Sequence, residues 1–82
     1  MKEFQPLKVF CHAGFRGEEY PTAFEWDNTR LEIEEIEKRW LEPEWRYFQV
    51  KCKKGRCFLL RFREVDSQWQ GQLFSRIQPG TA

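Results

Sequence analysis

Four side chains in this chain have the chemistry to hold a metal ion or to act as nucleophile and base: Cys11, His12, Cys52 and Cys57. Their spacing does not suit zinc. Structural sites are usually built from Cys pairs two to four residues apart, and no second such pair exists here. His12 beside a thiol could activate it as a nucleophile, but a solitary histidine is common on a small surface. No metal, no cofactor and no enzyme activity are expected, because no paired acid–base constellation falls on one identifiable face. Three thiols is an odd number. The opening Met1-Lys2-Glu3-Phe4-Gln5-Pro6 carries an acid and lacks the apolar stretch of a signal peptide. A cytoplasmic location with three reduced thiols is therefore expected.

The second chemical feature is charge. Between Glu18 and Glu37 stand eight acids and one base; between Arg46 and Arg63 stand seven bases and no acid. The two segments thus carry −7 and +7, while the whole chain is only +1. Two neighbouring strands attracting each other would explain this. A basic face for an anionic partner would explain it as well. In that second case Lys51, Arg61 and Arg63 contact phosphates, Tyr47 stacks, and Trp45 and Arg46 flank them.

The elements that must position these residues come from a single small domain. A chain of 82 residues buries about 60–65% of its unfolded surface. Aromatic residues make up 17% of it, far above what a disordered chain carries, so large rings are expected to fill a thin core. The longest apolar run, Cys57 to Leu60, is too short to span a membrane.

The clearest pattern lies at 45–63. Placing Gly55 as a left-handed bulge residue after a type I turn at Lys53-Lys54 sets Cys52 opposite Arg56. Phe48, Val50, Cys52, Phe58, Leu60 and Phe62 then share one face. Tyr47, Gln49, Lys51, Cys57, Leu59, Arg61 and Arg63 share the other. A one-residue slip would mix the two sets, so this register is expected. Cys52 and Cys57 then project to opposite faces.

Residues 7–13 and 22–26 alternate as strands, Gly14 to Pro21 reads as a loop, and Asp27-Asn28 as a turn. Phe15 and Tyr20 are placed to fold back on the core. Residues 68–74 form the last strand, with Trp69, Gly71 and Leu73 on one side. The segment 30–41 is ambiguous. Thr29-Arg30-Leu31-Glu32 matches a capping box, and Glu34–Lys38 and Glu35–Arg39 are favourable helical pairs. A strand with one bulge at Glu34-Glu35, which brings Ile36, Lys38 and Trp40 to one side, is the preferred reading.

The expected fold is mainly β, a five- or six-stranded antiparallel meander curled into a barrel or strongly bent sheet. The alternative is α+β with a helix at 30–41. One domain covers 1–77, followed by a mobile tail at 78–82.

Phe24-x-Trp26, Glu37-Lys38-Arg39-Trp40, Trp45-Arg46-Tyr47-Phe48-x-Val50, Gly55, Leu59-Leu60-Arg61 and Trp69 resemble a family of short prokaryotic all-β proteins. Similar segments lie near or at the end of translesion-type DNA polymerases. The resemblance covers 22–70. It implies strand structure at 30–40 and some association with DNA, and it brings no catalytic residue. Lys38 stands where the family carries Asp.

The function expected on these grounds is a non-enzymatic protein-interaction module. The alternative is a single-stranded nucleic-acid-binding module using the basic hairpin face.

Overall fold

The computed structural model describes residues 4–13 and 19–74. Its centre is the hairpin of β5 (Arg46–Cys52) and β6 (Cys57–Arg63), joined by a 3₁₀ turn at Lys53–Gly55. Phe48 lies opposite Leu60, Val50 opposite Phe58 and Lys51 opposite Cys57. The Cys52 amide donates to the Arg56 carbonyl at 2.7 Å. This is the bulged register expected from the sequence. It buries Phe48, Val50, Cys52, Phe58 and Leu60 together.

Two details of the hairpin differ from expectation. Lys54 adopts φ 67° beside Gly55 at φ 74°, so two successive residues, not one, are left-handed. Phe62 is half-buried rather than buried, because it sits at the open end of the sheet and packs sideways on Trp69 at 4.9 Å.

The remaining strands are β1 (Gln5–Pro6), β2 (Val9–Ala13), β3 (Glu19–Trp26), β4 (Thr29–Leu41) and β7 (Gln68–Leu73). All pairings are antiparallel, in the order β1-β7-β6-β5-β4-β3-β2. Seven strands thus replace the five or six expected. The difference arises at the N-terminal end, where the strand expected at 7–13 begins at Val9 and a further strand, Gln5–Pro6, precedes it. Gln5 and Pro6 pair with β7, and Val9 onward pairs with β3. Leu7 and Lys8 cross between them. The Leu7 amide donates to the Trp69 carbonyl of β7 at 3.1 Å, and the Lys8 carbonyl accepts from the Glu25 amide of β3 at 2.9 Å. Consecutive residues thereby tie opposite ends of the sheet and curl it into a half-barrel.

β4 is a strand, not a helix. Glu34 and Glu37 are each an unpaired extra residue in its ladder with β5, giving two bulges where one was expected. The second bulge reverses the faces beyond it. Ile36 pairs with Val50 on the core side, whereas Trp40 pairs with Tyr47 on the outer side. Ile36 and Trp40 therefore do not share a face. β4 pairs with β3 over Thr29 to Glu32 and with β5 from Ile33 onward. Between them these two neighbours supply backbone bonds along its length and half-bury Leu31, Ile33 and Ile36. Helical i,i+4 pairs at about 0.2–0.5 kcal/mol each cannot match that.

β3 starts at Glu19, so Glu19 to Pro21 belong to a strand and not to the loop. The rest of that loop, with Phe15, lies outside the described residues, as does the tail. Pro21 is buried at a register shift opposite Cys11, the kind of position where a missing N–H is tolerated in a sheet. Asp27 and Asn28, at φ 52° and 63°, close the β3–β4 hairpin as the expected turn.

Phe24, Phe48, Val50, Cys52, Phe58 and Leu60 form the core, and Leu7, Trp26, Ile36, Trp69 and Leu73 pack around them. Among the described residues, no helix is long and apolar enough to cross a membrane.

Candidate functional site

The strand registers line up one row of outer-face side chains. Trp40 lies opposite Tyr47, Tyr47 opposite Arg61, and Arg61 opposite Gln70. Trp40 and Tyr47 stack in parallel, 5.1 Å apart with 1° between ring planes. The Arg61 guanidinium carbon lies 3.8 Å from the centroid of the Phe4 ring and 4.0 Å from that of Trp45. Its Nε and Nη2 donate to Gln70 Oε1 at 3.0 and 2.7 Å, and its Nη1 donates to the Tyr47 hydroxyl at 3.4 Å.

The six residues singled out from the sequence are therefore only partly brought together. Tyr47, Arg61, Trp45 and Arg63 share a neighbourhood, with Arg63 lying 4.7 Å from the Trp45 ring. Lys51 is four residues from Tyr47 along β5, about 13 Å at the usual strand rise, and its Nζ is 3.9 Å from Glu35. Arg46 leaves the patch altogether. It pairs with Phe62 on the opposite face and bonds Glu64 at 3.1 Å. Arg63 donates to both carboxylate oxygens of Asp66, at 3.2 and 2.9 Å. That hydrogen bond holds the Asp66 carboxyl below its usual range and raises the Arg63 guanidinium. Lys51, Arg61 and Arg63, placed on one face for contact with phosphates, are half-buried. Of the four bases singled out on this hairpin, three (Lys51, Arg46 and Arg63) answer to acids of the same chain. They do so chiefly through residues near the turns, not through the acidic segment alone.

A second feature was not singled out in the sequence. At the open end of the sheet, the β4–β5 turn (42–45) and the β6–β7 turn (64–67) border a groove of about 1000 Å³. The first turn is closed by reciprocal bonds, Glu42 amide to Trp45 carbonyl at 2.8 Å and the reverse at 3.2 Å. Leu41 and Val65 line this groove at 74% and 87% exposure, together with Trp45 and Phe62. The one signal in the sequence is each residue's isolation among acids: Leu41 before Glu42-Pro43-Glu44, and Val65 between Glu64 and Asp66. A smaller cleft of about 290 Å³ opens where β4 leaves β3, beside Tyr20, Pro21, Ile33 and Ile36. Its β4 edge carries two bulges and several charges, devices that keep an edge from pairing with another chain.

Cys52 and Cys57 project to opposite faces, so a bond between them would need backbone distortion. Cys11 is exposed, and His12 lies 5.3 Å from the Tyr20 ring. Among the described residues, no three His, Cys, Asp or Glu are placed to hold a metal ion. Burial pushes the Cys52 thiol from 9.0 up to about 11. The unfolded chain then loses this proton near pH 9 while the folded chain keeps it. The stabilisation is complete below pH 9 and is lost as pH rises toward 11. Urea midpoints measured between pH 9 and 11 are expected to fall more steeply for the wild type than for Cys52→Ala. Parallel curves would show that the thiol ionises normally.

In comparisons with family models, curated proteins and solved structures, no match to this chain is found.

Proposed function

We propose that this chain is a non-enzymatic protein-interaction module, which takes an apolar segment of a partner protein in the groove between the 42–45 and 64–67 turns. The observation that carries this reading is the pair Leu41 and Val65, 74% and 87% exposed in the lining of one groove. Single exposed apolar residues are ordinary. Two of them lining one groove together with Trp45 and Phe62, among charged residues, have the anatomy of an interface. The groove holds the acids Glu42, Glu44, Glu64 and Asp66 and the bases Arg46 and Arg63. Both bases are bonded to acids within it. The balance of −2 favours a partner segment with Lys or Arg beside its apolar residues. A cytoplasmic site of action is part of this reading and is supported by the odd thiol count and the buried Cys52.

The test is the double variant Leu41→Asp, Val65→Asp. Both positions are exposed, so the urea midpoint should correspond to a stability within about 0.5 kcal/mol per site of wild type. Proteins retained by immobilised wild type should be lost by the variant. Equal retention by both would remove the groove from the account.

Single-stranded nucleic acid is the second reading. It is favoured by the hairpin tip, where Lys53, Lys54 and Arg56 are exposed and form no ion pair among the described residues. The resemblance of residues 22–70 to segments beside DNA polymerases points the same way. Titration with fluorescent single-stranded DNA separates the two readings. Three phosphate contacts would give a log–log salt slope of about −2, and no binding at low salt would leave the protein partner alone.

A further inference from the structure

Arg61 differs from Arg46, Lys51 and Arg63 in having only neutral partners among the described residues. A guanidinium has five N–H donors in a planar fork. Gln70 takes two, from Nε and Nη2, and Tyr47 takes one, from Nη1. One N–H remains on each of Nη1 and Nη2. With Tyr47 on the Nη1 hydrogen that faces Cδ, the remaining two point the same way and can take both oxygens of one carboxylate. The Tyr47 hydroxyl, which accepts from Arg61, keeps its own hydrogen to donate. Phe4 and Trp45 flank the guanidinium. The side chain is thus ordered before any ligand arrives, which removes much of the entropy cost of binding.

The surroundings decide the kind of anion. Arg63 is matched by Asp66 and Lys51 by Glu35. Of these three bases, Arg61 alone has no carboxylate partner among the described residues, and it is set among neutral groups. A dianionic phosphate or a polyanionic strand would exceed its single charge and would face the neighbouring acids.

We propose that Arg61 is a preorganised receptor for one carboxylate, presented by an Asp or Glu side chain of a partner protein, with Tyr47 and Gln70 setting its orientation. Leu41 and Val65 are on other segments, so the site stands whether or not the groove takes a partner.

The test is a nuclear magnetic resonance titration of the full chain, following the Arg61 Nε–H and the Trp45 indole N–H. The probes are a short glutamate peptide with blocked ends, its glutamine counterpart, inorganic phosphate and a single-stranded oligonucleotide. The glutamate peptide should give saturating shifts at both groups and the glutamine peptide none. Arg61→Lys keeps the charge and loses the fork, and should bind about tenfold more weakly. Tyr47→Phe keeps the ring stack and loses the hydroxyl. It should bind severalfold more weakly with an unchanged melting temperature, which tests the site even if Arg61→Lys disturbs the fold. Equal shifts with the glutamine peptide, or undiminished binding by both variants, would overturn the proposal. Tighter binding of phosphate or of the oligonucleotide than of the glutamate peptide would overturn the assignment to a carboxylate.

Discussion

Phe58→Ala is expected to leave the chain largely unfolded, or at the edge of unfolding, at room temperature. Phe58 is fully buried. It meets Phe24 edge-on at 4.9 Å and Trp26 edge-on at 5.0 Å, so its ring joins the β5–β6 hairpin to β3 across the core. Removing a buried phenyl group costs about 3–5 kcal/mol in lost transfer energy and residual cavity. An 82-residue domain has about 4–12 kcal/mol of stability in all. The loss is therefore a large part of the whole, and the remaining core is too thin to collapse into the space. Phe62→Ala provides the comparison. It is half-buried at the open end of the sheet and should cost about 1–3 kcal/mol. Urea unfolding of both variants followed by circular dichroism decides the matter. A larger loss for Phe62 than for Phe58 would mean that the core is not centred on the Phe24–Phe58 contact.

Gly71→Val is expected to have the next largest effect, and its cause is crowding. A Cβ at position 71 would run into Leu7 Cδ1 and stand 2.8 Å from Leu60 Cδ2 and 3.4 Å from the Leu59 carbonyl oxygen. Leu60 is fully buried and has nowhere to move. Overpacking of this kind costs about 1–3 kcal/mol, and the β-branched side chain adds two more methyl groups to the clash. Gly71 also pairs with Gln5, so displacing Leu7 disturbs the short crossing that ties the two ends of the sheet. Gly71→Ala should show a smaller loss of the same origin. Leu7→Ala added to Gly71→Ala should recover part of it, a coupling that a double-mutant cycle measures. Strict additivity of the two substitutions would show that Leu7 and residue 71 do not compete for the same space.

The sequence by itself determined the hairpin at 45–63, its register and its two faces. The signal there is local: strict alternation around a Gly-containing turn admits one partition of apolar from polar residues, and a slip exposes all of Phe48, Val50, Phe58 and Leu60 at once. It also determined the Asp27-Asn28 turn, because short polar side chains tolerate the left-handed backbone that a tight hairpin needs. Tertiary structure decided the rest. The second bulge in β4, at Glu37, has no local cause. It follows from pairing with β5, and it turned Trp40 outward to stack on Tyr47. The crossing at Leu7 and Lys8, which separates Gln5–Pro6 from Val9–Ala13, depends on bonding partners at Trp69 and Glu25, far away in the chain. The candidate site followed the same division. Alternation placed Lys51, Arg61 and Arg63 on one face. Only folding placed Glu35 beside Lys51 and two aromatic rings beside Arg61, whereas Asp66, three residues along the chain from Arg63, was within local reach. Ion pairs and ring contacts form between segments whose separation in sequence carries no information about their distance in space.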